Sequence, residues 1–470
     1  MTYLDYFKEI CTMPHGSGNT KIISDWLVKF AVDHNLEYHQ DDANNVIIIK
    51  EASKGCEDKA PIIIQGHMDM VAVHDADRDI DMTTEGLDLQ VDGDFLYARG
   101  TSLGGDDGIA VAYGLALLDD ETLSLPRIEL VVTVDEEVGM LGAAVLDVSP
   151  CKGKTMLNID SEEEGIFLVS CAGGARVDFK FPMTEVAGDI GAVYKITIDG
   201  LLGGHSGTEI DKGRANAIAL MGRVLKKLSD AKLLMGLNDI KGGTADNAIC
   251  NCCEAIVLCK PVEPELFEII KYETLEDYLS VETKASIVMD RIAAKPESLK
   301  WYSNPDTTLS HFLTSLPNGV IAMSKDIDGL VETSLNHGII SMDERGVSLS
   351  ISVRSNDDTK KDELIKTIID VATTHHAISS VRGEYPGWAY RKESPLRDKM
   401  VSVYREMYGA EPEIQALHAG LECGVFASKI PNLDCISFGP NMYDIHTTKE
   451  RLSLSSAERV WNYILKVIAE

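Results

Sequence analysis

The chain has 470 residues, 44% hydrophobic and 25% charged, a globular composition too long for one ordinary domain. Its 75 Asp and Glu outweigh 44 Lys and Arg for a formal charge of −31, which repels phosphate backbones and anionic headgroups and argues against nucleic-acid and membrane partners. Ten scattered cysteines, no basic and apolar leader, and no run near the ~18 apolar residues of a membrane span predict a cytoplasmic protein with free thiols.

Residues 18–34 space apolar side chains three and four apart, which predicts an amphipathic helix. Short β-rich runs follow at 45–50, 61–65 and 95–98, and residues 108–118, small and apolar nearly all round, predict a buried helix. Residues 127–134 read as a buried strand, 141–146 as a short helix and 156–159 as another strand. This alternation predicts an α/β domain with a mostly parallel sheet covered by helices. The middle of the chain reads differently: strands at 193–198, 248–258 and 347–354, and helices at 214–228, 266–279, 286–294 and 361–373. After Tyr385-Pro386-Gly387-Trp388 the helix–strand character returns through 396–407, 424–428, 433–438 and a final helix at 455–468. The organisation expected is one domain of 1–187 plus 386–470, interrupted by an inserted α+β lid of about 188–385. Within the lid, Cys250-Asn251-Cys252-Cys253 reads as alternating thiols on a strand, since no second Cys pair lies nearby for a zinc knuckle.

In open α/β sheets, functional groups gather beyond the carboxyl ends of the strands. His67 and Asp69 follow Ile62-Ile63-Ile64, Asp106-Asp107 opens the 108–118 helix, Asp135-Glu136-Glu137 ends a strand, Asp160 ends another, and His446 follows the 436–438 strand. Taken singly, each has an ordinary use: a helix cap for Asp106-Asp107, a solvated charge run for Asp135-Glu136-Glu137, a loop cap for Asp160, a loop histidine for His446. Five such segments converging would leave buried charge unpaired unless a cation neutralised it. Imidazole and carboxylate donors without cysteine favour zinc, manganese or cobalt. Two ions with one bridging carboxylate would activate a water, with a free carboxylate as general base. Serine-hydrolase and single-zinc signatures are absent: there is no G-x-S-x-G and no H-E-x-x-H.

These five segments resemble the metal-site motifs of the co-catalytic zinc peptidases, the superfamily of carnosinases and aminoacylases. Gln65-Gly66-His67-Met68-Asp69, Ala98-Arg99-Gly100-Thr101-Ser102-Leu103-Gly104, Gly203-Gly204-His205-Ser206-Gly207, Arg214-Ala215-Asn216-Ala217 and His418-Ala419-Gly420-Leu421-Glu422-Cys423-Gly424 resemble the bacterial aminoacyl-histidine (cytosolic non-specific) dipeptidases over essentially the whole chain. The resemblance implies a metallo-dipeptidase acting on unblocked dipeptides, Xaa-His such as β-Ala-His among them, with two Zn2+ and Co2+ or Mn2+ as substitutes. It makes Asp106 the bridging ligand, His67 and Asp160 the rest of one site, and Glu137 and His446 the rest of the other. Glu136 becomes the general base, and Asp69 the carboxylate that fixes the His67 tautomer. The Asp106–Asp107 peptide is a candidate for cis geometry.

Further roles follow from the same resemblance. His205 would stabilise the oxyanion, commonly from a partner subunit, which implies a homodimer through the lid; such a donor is typically worth ~3 kcal/mol of barrier. Arg354 would clamp the substrate carboxylate, with Asn247 and Glu422 as further substrate-binding candidates. The alternatives are an amidohydrolase acting on N-acyl amino acids and a catalytically silent, metal-stabilised binding protein. Two departures from the family pattern stand out. Cys250 to Cys253 occupy the place of a Pro-Arg-Glu-Ala run, which bears on substrate preference, and Gly105 replaces a common alanine.

Overall fold

The computed structural model describes residues 1–188, 190–293, 296–303 and 308–469, and they divide into two compact units. The first comprises Met1–Cys171, Trp388–Ala416 and Leu421–Glu470; the second comprises Ala172–Gly387 and Leu417–Gly420. The boundary expected at 187/188 falls earlier because Gly173–Pro182, not anticipated as a strand, pairs along its length with Gly346–Ser355 in the second unit's sheet. Residues 417–420 likewise group with the second unit rather than with the carboxyl-terminal part of the first.

The first unit is built on an eight-stranded sheet whose centre runs Ile128–Thr133, Ile62–His67, Thr155–Asn158, Asp434–Ser437, all parallel. Flanking pairs are antiparallel, Glu37–Gln40 on Val46–Lys50 and Val46–Lys50 on Ile128–Thr133, so the sheet is mixed rather than mostly parallel. The central strands are buried on both faces, as their unbroken apolar runs require. Helix Gly105–Asp119 passes so close to the strand end that a Cβ on Gly66 would lie 2.5 Å from Ala110 Cβ and from Asp107 Oδ2. That approach carries the Asp106-Asp107 pair to His67. The expected run at 95–98 forms, but in a separate four-stranded sheet with Leu89–Asp92, Met442–Tyr443 and Arg451–Ser453.

The second unit holds an eleven-stranded sheet with antiparallel pairings throughout, covered by helices Ala217–Asp230, Leu309–Ser315 and Asp358–Thr374, with Phe179, Phe181, Ile196, Met221, Phe312 and Ile351 in its core. The Asn216 side chain caps Ala217–Asp230, accepting the N–H groups of Ile218 and Ala219 at 3.0 and 3.3 Å. Residues 286–294, expected as a helix, are corrected by Ser286–Arg291, an edge strand in register with Tyr194–Asp199; residue 294 lies outside the described residues. Pairing with a neighbouring strand overrides a marginal local helical pattern. Cys250 and Cys252 are not on a strand either: they connect Ala248–Ile249 to Cys253–Cys259, and all ten cysteines are free thiols. No described helix is long and apolar enough to cross a membrane.

Candidate metal centre

The segments named from sequence meet at the carboxyl ends of the first unit's parallel strands. His67 closes its strand, and its Nε2 lies 3.1 Å from Asp106 Oδ1 and 3.5 Å from Asp160 Oδ1. The other Asp106 oxygen, Oδ2, is 3.2 Å from Nε2 of His446, which stands 2.8 Å from Glu137 Oε1. One carboxylate therefore faces two imidazoles through opposite oxygens. The turn that carries Glu136 and Glu137 needs positive φ at Asp135 and Met140, and His446 itself is left-handed at φ 61°. The Asp106–Asp107 peptide is cis.

The Asp69 carboxylate plays a wider part than expected. The nearer acceptor for His67 Nδ1 is the Asp69 carbonyl, at 2.8 Å, with the carboxylate at 3.6 Å. That carboxylate instead accepts the Glu136 N–H at 3.1 Å, the Glu137 N–H at 3.4 Å and the Ser17 hydroxyl at 2.8 Å. Sequence reasoning missed Ser17. It also missed Glu450, a buried carboxylate that accepts the N–H groups of Leu103, Gly104 and Gly105 at 2.9, 3.2 and 2.8 Å and so pins the loop leading into Asp106. Neither stands in a strand-end motif, so no local pattern marked them.

Charge is crowded here. Burial opposes a proton on His67, but Asp106, Asp160 and Asp69 outweigh it and hold the ring well above its ordinary value. Asp106 and Glu137 raise His446 to about 10. Burial pushes Asp160 up to about 6 against the pull of His67, and burial with neighbouring carboxylates drives Glu136 well above the usual range. Asp107, read from sequence as the cap partner of Asp106, is fully buried and also driven well up, and its Oδ2 accepts the His67 N–H at 3.3 Å.

The donor set fits divalent cations. Ligand atoms of His67, Asp106 and Glu137, and of His67, Asp107 and Asp160, lie within 4.8 Å of one another. Asp107 Oδ1 is buried without a hydrogen-bond partner among the described residues. An acceptor-rich imidazole–carboxylate cluster of this kind suits zinc, manganese or cobalt.

Glu422, expected at the substrate, is 0% exposed, and its Oε2 accepts Gln65 Nε2 at 2.5 Å and Thr133 Oγ1 at 2.6 Å. Burial pushes its carboxyl up to about 7. The same buried chain continues through Gln65, whose Oε1 accepts Asn158 Nδ2 at 2.6 Å.

The remaining candidates lie in the second unit. His205 Nδ1 accepts the N–H groups of Gly207 and Thr208 at 3.3 and 3.1 Å, which puts the proton of the neutral ring on Nε2. Burial, then the Arg354 charge, lowers its affinity for a second proton. Arg354 is 7% exposed; Nη1 donates to the Tyr385 hydroxyl at 3.0 Å, Nε has no acceptor, and no carboxylate pairs with the guanidinium among the described residues. Asn247 is an exposed turn residue whose carbonyl accepts the Ser206 N–H at 2.8 Å.

An α/β unit that presents two histidines to one shared aspartate, ringed by further carboxylates, is the architecture of a metallohydrolase with two neighbouring ion sites. Residues 63–470 match the model of Peptidase family M20/M25/M40, and the chain belongs to that family. It is 32% identical over 475 residues to the cytosol non-specific dipeptidase of Escherichia coli K12, covering 99% of this chain and 96% of that protein. The crystal structure of aminoacylhistidine dipeptidase from Vibrio alginolyticus superposes with a TM-score of 0.92 at 32% identity, over 99% and 96% of the two chains. Aminopeptidase PepT from Bacillus cereus shares the fold at a TM-score of 0.56 and 16% identity, over 99% and 97%.

Proposed function

We propose that this chain is a cytoplasmic metallo-dipeptidase of broad specificity that cleaves unblocked dipeptides, Xaa-His among them. The observation that carries the reading is Asp106 set between His67 and His446, at 3.1 and 3.2 Å from its two oxygens. His67, Asp106 and Asp160 would hold one cation and Asp106, Glu137 and His446 the other. Two zinc ions, or cobalt or manganese in their place, supply Lewis-acid activation of a water and of the scissile carbonyl when bound. Glu136 takes the proton of the attacking water and returns it to the leaving amine, and its half-buried setting among other carboxylates suits a carboxylate that must hold a proton midway. Asp69 orients the His67 ring and the backbone of Glu136 together.

The second unit supplies recognition in this reading. A buried guanidinium without a carboxylate partner among the described residues suits the free carboxylate of a dipeptide, and the His205 Nε2–H suits a developing oxyanion. The unit also serves as the lid and the face of a homodimer, through which His205 can act on a partner subunit. Hydrolysis of Gly-Gly, β-Ala-His, a tripeptide and an N-acetyl amino acid, measured after chelation and after zinc reloading, tests the proposal. The dipeptides should be cleaved only by the reloaded protein. Cleavage of the N-acetyl amino acid alone would move the chain to the amidohydrolases.

A further inference from the structure

The loop after the first helix, residues 15–19, runs beside the strand end that carries His67. Gly16 bridges Met70 in parallel, the Met70 N–H donates to the His15 carbonyl at 3.1 Å, and the Ser17 N–H donates to the Met70 carbonyl at 3.3 Å. Only a glycine passes here, since a Cβ on Gly16 would come within 2.9 Å of Ala72 Cβ. This seating brings the Ser17 hydroxyl to 2.8 Å from Asp69 Oδ2, and the Gly18 N–H to 2.6 Å from Asp135 Oδ1. Asp69 is 1% exposed, and besides Ser17 its carboxylate is held by the N–H groups of Glu136 and Glu137, with the His67 ring at 3.6 Å.

We infer that Ser17 is a positioning residue for the reaction: its hydroxyl sets the rotation of the Asp69 carboxylate, through which the His67 ring and the Glu136–Glu137 turn are aligned. Oδ1 faces His67 and the Glu136 N–H, while Oδ2 faces Ser17 and the Glu137 N–H. Without the hydroxyl, Oδ2 keeps only the long 3.4 Å bond, and the carboxylate can rotate away from both groups that it aligns. The inference rests on the two-ion reading of the centre but not on the identity of the amide cleaved.

The test uses full-length Ser17→Ala, Ser17→Thr, Asp69→Asn and Ser17→Ala/Asp69→Asn proteins, each loaded with zinc. Zinc transfer to a chromophoric chelator is read alongside kcat and KM on any amide the wild type cleaves. Ser17→Ala should lose zinc about tenfold faster and lower kcat about tenfold with KM within about twofold, the scale of effects on outer partners of metal ligands. Ser17→Thr should recover most of both, and the added loss from Ser17→Ala should shrink below about twofold when Asp69 is already Asn. Wild-type zinc retention and kcat in Ser17→Ala, equal defects in Ser17→Ala and Ser17→Thr, or additive losses in the double variant would each overturn the assignment. Because zinc retention needs no substrate, failure of the dipeptidase reading would leave this result legible.

Discussion

Loading the centre with cations must expel protons, and the structure says about how many. In the cation-free protein His67 is held protonated by Asp106, Asp160 and Asp69 despite its burial, and His446 by Asp106 and Glu137, its value raised to about 10. Both rings therefore carry a second proton at pH 7, whereas an imidazole ligand must offer its lone pair. Filling the pair of sites should release about two protons at pH 7, one from each ring, with any carboxyl proton of Glu136 or Asp107 adding to them. Since the histidine values are raised, apparent affinity falls as pH falls, by about tenfold per pH unit for each proton displaced. The His446 side chain is 43% exposed, so solvent screening shrinks its ion-pair energy to the order of 1 kcal/mol, but the proton count survives that discount. Titrating zinc into stripped protein by calorimetry, in buffers of different ionisation enthalpy, gives the count as a slope. A slope of two or slightly more is expected, falling by about one in His446→Ala. A slope near zero would refute the reasoning, because it would mean that both rings are neutral before any cation arrives.

Four further outcomes follow from particular side chains. Glu136→Gln should retain zinc and fold but lower kcat about 10²–10⁴-fold, read by steady-state kinetics; near wild-type turnover would remove Glu136 as the base. Arg354→Met should raise KM about 10–100-fold for dipeptides, the cost of one charge-assisted contact, and leave dipeptide amides almost unaffected. Glu450→Gln places an NH2 group against backbone N–H groups of residues 103–105, and unpairing one buried donor costs about 1–3 kcal/mol. An unchanged denaturation midpoint together with full zinc retention would show that this loop does not need its carboxylate. His337 in the second unit is buried and lowered to about 4, so the unfolded chain binds more protons than the folded one between pH 6.5 and 4. Its contribution is complete above pH 6.5 and is lost as pH falls toward 4, up to about 3 kcal/mol, and His337→Gln should flatten that slope in denaturation measured against pH.

Much of the first unit is legible in its residues, because unbroken apolar runs such as Ile62-Ile63-Ile64 announce buried strands and polar residues just past them mark the functional edge of a sheet. The second unit is less so. Val331–Asp343 and Gly173–Pro182 mix polar and apolar residues, and Ser286–Arg291 is a strand because an edge was open to it. The division of the chain moved for the same reason, since Gly173–Pro182 joins a sheet whose other strands lie far along the sequence.

By itself the sequence determined the central strands, the buried helix that follows Asp106 and the residue types at each strand end, all of which depend on local patterning and short spacing. Tertiary structure alone decided that Asp106 stands between His67 and His446, that Glu422 is buried against Gln65 and Thr133, and that Ser17 and Glu450 brace the centre. Those contacts join residues tens to hundreds of positions apart, such as Ser17 to Asp69 and Leu103 to Glu450, and a hydrogen bond over such a separation leaves no periodic trace in the chain that makes it.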